Sequence, residues 1–238
     1  MDIISELLLN LPDEEVRAVL VGAHSTVVCS RHCGMASTIL GDQPHAHEKV
    51  RDAGHLKGKS ARELAEYARS DYPLEASIGV AAINSLLDVD PEKLTEVNAY
   101  DVLRDHETGR KIALVGHFPF IPELRRTAGE LWVIEKKPVE GEFPEEAAGD
   151  VIPKADIVAL TGSALINHTL DRLLSYCRPE AQVMILGPST PLSAVLFKHG
   201  ATLLSGSVVV DEAAVFRTVS QGATFQQVEG VRRVTMKP

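Results

Sequence analysis

Apolar residues recur along the chain in two different rhythms, and the change between them falls near residue 90. Behind Met1, Ile4, Leu7, Leu8 and Leu11 stand at helical spacing until Pro12 and Asp13 stop the pattern, which predicts an opening amphipathic helix. VRAVLVGAHSTVVCS then carries two β-branched runs around Gly22, Ala23 and His24, the pattern of a β-hairpin. Ser60, with Glu63 three residues on, stands in capping-box register and opens the helix ARELAEYARS before Pro73. EASIGVAAINSLL predicts a further helix over 75–87. Helix, hairpin, a polar His-rich stretch and two helices make an α+β unit over residues 1–90, and the acidic segment DVDPEKLTEV reads as a linker.

Beyond residue 100 the runs become short, apolar and β-rich: KIALVGH, LWVIEKK, DIVALTG, AQVMILGP and ATLLSGSVVV. Amphipathic segments separate several of them: PFIPELRRTAG, SALINHTLDRLLSYC, TPLSAVLFKHG and DEAAVFRTVSQG. Near-continuous apolar strands alternating with helices predict a mainly parallel sheet covered on both faces, so the fold class is α/β with a second domain over 91–238. VEGEFPEEAAGD predicts a mobile acidic loop leading into a helical turn.

Composition changes this picture in three places. The 238 residues include no apolar run near the ~20 that span a bilayer, and the acidic N-terminus is unlike a secretory signal, so a cytoplasmic protein with no membrane partner is expected. Three cysteines are too few and too odd for a disulfide framework, and reduced thiols are the default. A net charge of −9 disfavours nucleic acid. Residues 1–100 carry 9 basic against 16 acidic side chains and the remainder 15 against 17, so the second half is the better host for a small anionic molecule. Homodimerisation stays open.

In an open parallel sheet ligands bind beyond the carboxyl ends of the strands. Here those ends read Gly116 and His117, then Glu135, then Thr161, Gly162 and Ser163, then Gly187, Pro188, Ser189 and Thr190. Glu135 lies 19 residues after Gly116, near the spacing of an acidic residue that holds a ribose hydroxyl. GHFPFIPE lacks the three glycines of a dinucleotide loop, which disfavours NAD and leaves a nucleoside-like ligand such as S-adenosylmethionine open. Ser163 and Thr190 are predicted N-caps, with Pro191 at a first helical position, so two helix N-termini would face an anionic group. Asn167, about a turn into the helix, can reach the cleft, whereas His168 is expected on the surface.

His117, directly after a buried strand, is the candidate general acid or base, with Glu135 as its partner in proton movement. Ser25, Thr26 and Asn84 would line the cleft if the first domain packs over the sheet. His24, His32, His45, His47 and His55 fall within 32 residues beside Cys29 and Cys33. Cys29, His32 and Cys33 form the candidate metal set for zinc or copper, although CSRHC and HAH match no standard paired spacing. A polar loop with two partly buried thiols is the competing reading.

GKSARELAEYA, EASIGVAAIN, ADIVALTGSALINHTLDRLL and GPSTPLSAVLFKHGATLLSG together resemble the heavy-metal chelation family over nearly the whole chain. The resemblance implies an enolase N-terminal-like domain joined to a Rossmann-like domain, with partial likeness to methyltransferases and a site between the two. It further implies condensation or hydrolysis of pterin, flavin or siderophore-like chelator precursors. On matching positions, Gly162, Ser163, Asn167, Gly187, Pro188, Ser189 and Thr190 would line the pocket from one side, with Asn84 and the Thr26 segment on the other. The CSRHC and HAH cluster stands apart from that pattern. Enolase catalysis does not follow, since no catalytic barrel is present. A non-enzymatic binder of a metal or metal chelate is the alternative, and the cofactor stays unassigned.

Overall fold

Asp2 opens the first helix, α1 (Ile3–Leu8), by accepting the Ser5 N–H, and Ile3, Ile4, Leu7 and Leu8 are all buried. The computed structural model describes residues 1–41, 49–97, 99–106 and 109–238, so His45 and His47 lie outside the described residues. The predicted hairpin forms as β1 (Ala18–Val21) and β2 (Ser25–Cys29), and β3 (Cys33–Ser37) extends it to a three-stranded antiparallel sheet. Alternation divides these strands between two cores. Val27, Cys29, Cys33 and Met35 pack in one cluster, and Val28 and Ala36 in another.

Cys29 sits directly opposite Cys33 across the turn and the two are joined as a disulfide, which corrects the expectation of reduced thiols. Two cysteines separated by a three-residue turn fall in register, a pairing that counting cysteines does not reveal.

Ser60 caps α2 (Ala61–Ala65) by accepting the Glu63 N–H at 3.1 Å, as its register predicts. A 3-10 turn over Glu66–Arg69 leads to α3 (Pro73–Leu86), buried along most of its length against the small sheet and α2. The segment expected as a linker instead supplies β4 (Leu94–Thr95), which pairs with the last strand of the large sheet.

The second part runs α4 (Ala99–His106), β5 (Lys111–Val115), α5 (Ile121–Thr127), β6 (Glu130–Glu135), β7 (Phe143–Pro144) and α6 (Ala148–Val151). It continues through β8 (Ile157–Thr161), α7 (Ser163–Ile166), α8 (Leu170–Ser175), β9 (Gln182–Leu186) and α9 (Ala194–Lys198), then β10 (Leu203–Val209), α10 (Glu212–Ser220) and β11 (Val231–Met236). The eight strands are ordered β4-β11-β10-β9-β8-β5-β6-β7, parallel from β10 to β7, with β11 antiparallel to its neighbours. The chain therefore leaves β5 toward one edge and returns on its other side as β8, which makes a topological switch point between them. The stretch expected as a mobile acidic loop contains β7 and the turn into α6.

Two predicted caps move. Gly162, not Ser163, precedes α7, and α9 begins at Ala194 behind Ser193, beyond Thr190 and Pro191. The single helix expected over SALINHTLDRLLSYC breaks into α7 and α8, with His168 at φ 55° between them. One sheet face packs Ile112, Leu114, Val133 and Met184 against Leu103, Ile121 and Leu124 of α4 and α5. The other packs Val158, Leu160, Val183 and Ile185 into a core that runs without a break into α1 and α3. No helix among the described residues is long and apolar enough to cross a membrane.

Candidate functional site

The carboxyl ends of β5, β6, β8 and β9 converge on one cavity of about 630 Å³, centred on the switch point. Gly116 and Gly187 end their strands at φ 107° and 110°, where a side chain is strained and would intrude; a Cβ on Gly116 would stand 2.9 Å from the Thr161 Cβ. The roof comes from the N-terminal part through Ser37 and Ile39. Ser37 donates its N–H to the Ser189 Oγ at 2.8 Å and accepts the Ser163 hydroxyl at 3.3 Å, so the ends of β3, β8 and β9 are tied together at one seam.

Of the residues singled out from sequence, Gly116, His117, Glu135, Thr161, Ser163, Asn167, Gly187 and Pro188 line this cavity. Gly162, Ser189 and Thr190 stand behind the wall. The two turns pack back to back, with the Cα of Gly162 facing the Thr190 N and Oγ1 so closely that a Cβ would lie 2.7 Å from each. Ser189 and Thr190 are buried, and the Thr190 Oγ1 has no hydrogen-bond partner among the described residues.

Thr26 is buried too, its hydroxyl 2.9 Å from that of Thr38. Ser25 is likewise buried and outside the lining. Asn84 faces elsewhere: it donates to the Met35 carbonyl at 2.8 Å and lines a separate hollow of about 160 Å³ with His32 and Cys33. His168 is exposed, yet its Nε2 reaches the Ala68 carbonyl at 2.8 Å and adds a link between the two parts.

The expected pair of anion-facing helix N-termini is not built. The helix α7 has four residues and α9 starts away from the cavity, so neither aims an aligned dipole into it. Side-chain cations stand at the cavity instead. Lys136 and Arg233 both reach the lining, and Arg233 is braced by donating to the Phe225 and Gln226 carbonyls at 3.3 and 3.1 Å, its guanidinium 5.2 Å from the Phe225 ring centroid. Phe118 and Phe120 stack at 5.2 Å with a 20° interplanar angle on another side.

His117 is 64% exposed at the side chain and its Nδ1 lies 3.2 Å from the Oε1 of Glu142, whose side chain is 2% exposed. Glu142 also accepts the Val139 N–H at 3.1 Å. With Nδ1 donating to this fixed carboxylate, Nε2 is left as the proton acceptor. Glu135 accepts the Lys136 N–H at 2.8 Å on Oε2. Glu145 in the lining is held by Arg172.

Two family models match the chain, over residues 4–87 and 98–237, and both carry the description "Putative heavy-metal chelation". The chain belongs to this family. The heavy-metal chelation family includes a protein of unknown function from Desulfitobacterium hafniense whose crystal structure superposes with a TM-score of 0.87 at 28% identity, covering 99% of this chain and 98% of that one. A second crystal structure, from Pyrococcus horikoshii, has a TM-score of 0.84 at 19% identity over the same shares and bears on the fold alone. An uncharacterized protein of Methanocaldococcus jannaschii is 26% identical over 189 residues, 75% of this chain and 70% of that protein.

In this member of the heavy-metal chelation family the metal set read from CSRHC is not assembled, because Cys29 and Cys33 are bonded to each other. His32 turns away, its Nε2 3.2 Å from Asp88, so it does not join the two cysteines. The acidic side chain beside the disulfide is Glu212: one oxygen of its carboxylate and the two sulfurs lie within 4.8 Å of one another. Sequence reasoning missed Ser37, Phe118, Phe225, Arg233 and Glu142. Arg233 and Phe225 arrive from the far end of the chain on or near an antiparallel strand, and no local pattern announces that approach.

Proposed function

We propose that this member of the heavy-metal chelation family is an enzyme that binds a small, anionic, ring-containing molecule of the pterin, flavin or siderophore-like chelator class in the switch-point cavity. There it would condense or hydrolyse that molecule. The observation that carries this reading is the convergence, in one hollow, of stacked aromatic rings, a braced arginine and a histidine oriented by a buried carboxylate. The rings of Phe118 and Phe225 supply faces for a planar ligand, Arg233 and Lys136 meet its negative charge, and His117 with Glu135 moves the proton.

The donors present in the cavity bear on the metal. No cysteine is among the described lining residues, so a soft metal here fits as cargo carried by the chelating ligand. A Rossmann-like reading of the large sheet rests on its strand order, and Glu135 at the end of the strand beside β5 keeps S-adenosylmethionine as the second ligand to test.

Calorimetry with a pterin, a flavin, a ferric catecholate chelate and S-adenosylmethionine tests the reading. The expected result is binding of a ring-containing anion that Arg233→Met weakens about tenfold or more, with turnover lost in His117→Ala while binding persists. Absence of binding across the panel, or binding indifferent to Arg233→Met and Phe118→Ala, overturns it. Binding without turnover by the wild type favours the non-enzymatic chelate carrier.

A further inference from the structure

A second site lies outside the cavity, where the β2–β3 turn meets the start of α10. Cys29 is 0% and Cys33 8% exposed, while the Glu212 side chain is 48% exposed and opens this corner to solvent. Arg17 stitches the corner together: its N–H donates to the Cys29 carbonyl at 2.7 Å, its Nε to the Ser30 carbonyl at 2.7 Å, and its guanidinium grips both oxygens of Glu212 at 2.9 and 2.6 Å.

We propose that Cys29, Cys33 and Glu212 form a redox-gated site for a soft divalent cation of the zinc or cadmium type, closed while the sulfurs are bonded and open once they are reduced. A dithiol reductant transfers two electrons and two protons to the sulfur–sulfur bond, leaving two thiols and an oxidised, cyclic disulfide of the reductant. The cation then displaces both thiol protons and is held by two thiolates and one carboxylate oxygen, with a fourth position left for water. Tetrahedral Zn–S bonds of about 2.3 Å require sulfurs about 3.8 Å apart, which side-chain rotation across a paired hairpin position supplies. Arg17 can keep its hold on Glu212, since a carboxylate oxygen offers more than one lone pair, and so orients the ligand from behind.

The test begins by counting thiols. Alkylation under denaturing conditions, read by mass spectrometry, should label one of the three cysteines in protein purified without reductant, and all three after phosphine treatment. Cadmium titration should then give one ion per reduced chain with an ultraviolet thiolate-to-metal band, and none in the oxidised chain. Glu212→Gln should weaken uptake about tenfold or more, and Cys29→Ser with Cys33→Ser should abolish it. The proposal fails if the reduced chain takes up no cadmium, if uptake survives loss of both cysteines, or if Glu212→Gln binds as the wild type does. The wild-type comparison of oxidised and reduced chains decides the matter even where a cysteine variant does not fold.

Discussion

Glu75, in the first turn of α3, is 4% exposed and accepts the Arg51 N–H at 2.6 Å, the Arg51 Nε at 3.1 Å and the Ser70 hydroxyl at 2.7 Å. Burial pushes its pKa up, and the bonds from Arg51 and Ser70 outweigh that and hold it below the ordinary glutamate range. A depressed carboxyl contributes stability above its unfolded pKa, and that contribution is lost as pH falls through the folded one. Glu75→Gln should therefore cost about 1.5–3 kcal/mol near neutrality, with the gap to wild type closing in acid, as urea denaturation at the two pH values would show. Burial alone raises the Cys177 thiol to about 11 from an ordinary 9.0. At mildly alkaline pH its thiolate population is about a hundredfold lower than that of a free cysteine, so native alkylation timed by mass spectrometry should be slower by about that factor. At this scale the legible residues were those placed by topology: His117 stands two residues beyond β5 and Glu135 ends β6, so both had to emerge at the carboxyl edge. Thr26 and Asn84 were assigned by residue type and by the resemblance, and each is consumed by a neighbour instead.

Elements were legible in proportion to their length and apolar continuity. The strands β5, β6, β8, β9 and β10 announce themselves because both faces of a covered parallel sheet are dry. The two-residue strands β4 and β7 have no room for a pattern, and β3, with its CGMAS sequence, offers small residues where a strand signal needs β-branched ones. The smallness of β3 is a packing requirement: a Cβ on Gly34 would come within 2.2 Å of the Ala81 carbonyl oxygen and 2.3 Å of the Ser85 nitrogen on α3. Backbone has nowhere to yield, so Gly34→Ala should lift the hairpin from the helix at a cost of about 1–3 kcal/mol, measured by chemical denaturation. The misplaced caps have a similar origin. Ser163 and Thr190 sit in turns that pack on each other, and that contact shifts the helix starts away from the residues best suited to open them.

Across the whole molecule the two parts share one core. Cross-links reinforce it: the Ile3 N–H donates to Asp171 at 3.1 Å, Glu6 meets Lys198 and His199 at 3.0 and 2.9 Å, and Arg17 meets Glu212. Neither part has a dry interface to spare, so scanning calorimetry should show a single transition whose calorimetric and van't Hoff enthalpies agree. A chain cut near residue 90 should expose that shared face and bind hydrophobic dyes. The serine seam at Ser37, Ser163 and Ser189 carries a further consequence. A guest in the hollow touches loops from both ends of the chain at once, and so works as a keystone whose weight is felt everywhere. Saturation at a hundred times its dissociation constant should raise global stability by about 2.7 kcal/mol, and a melting screen would then pick the natural ligand out of a mixture with no assay for what becomes of it.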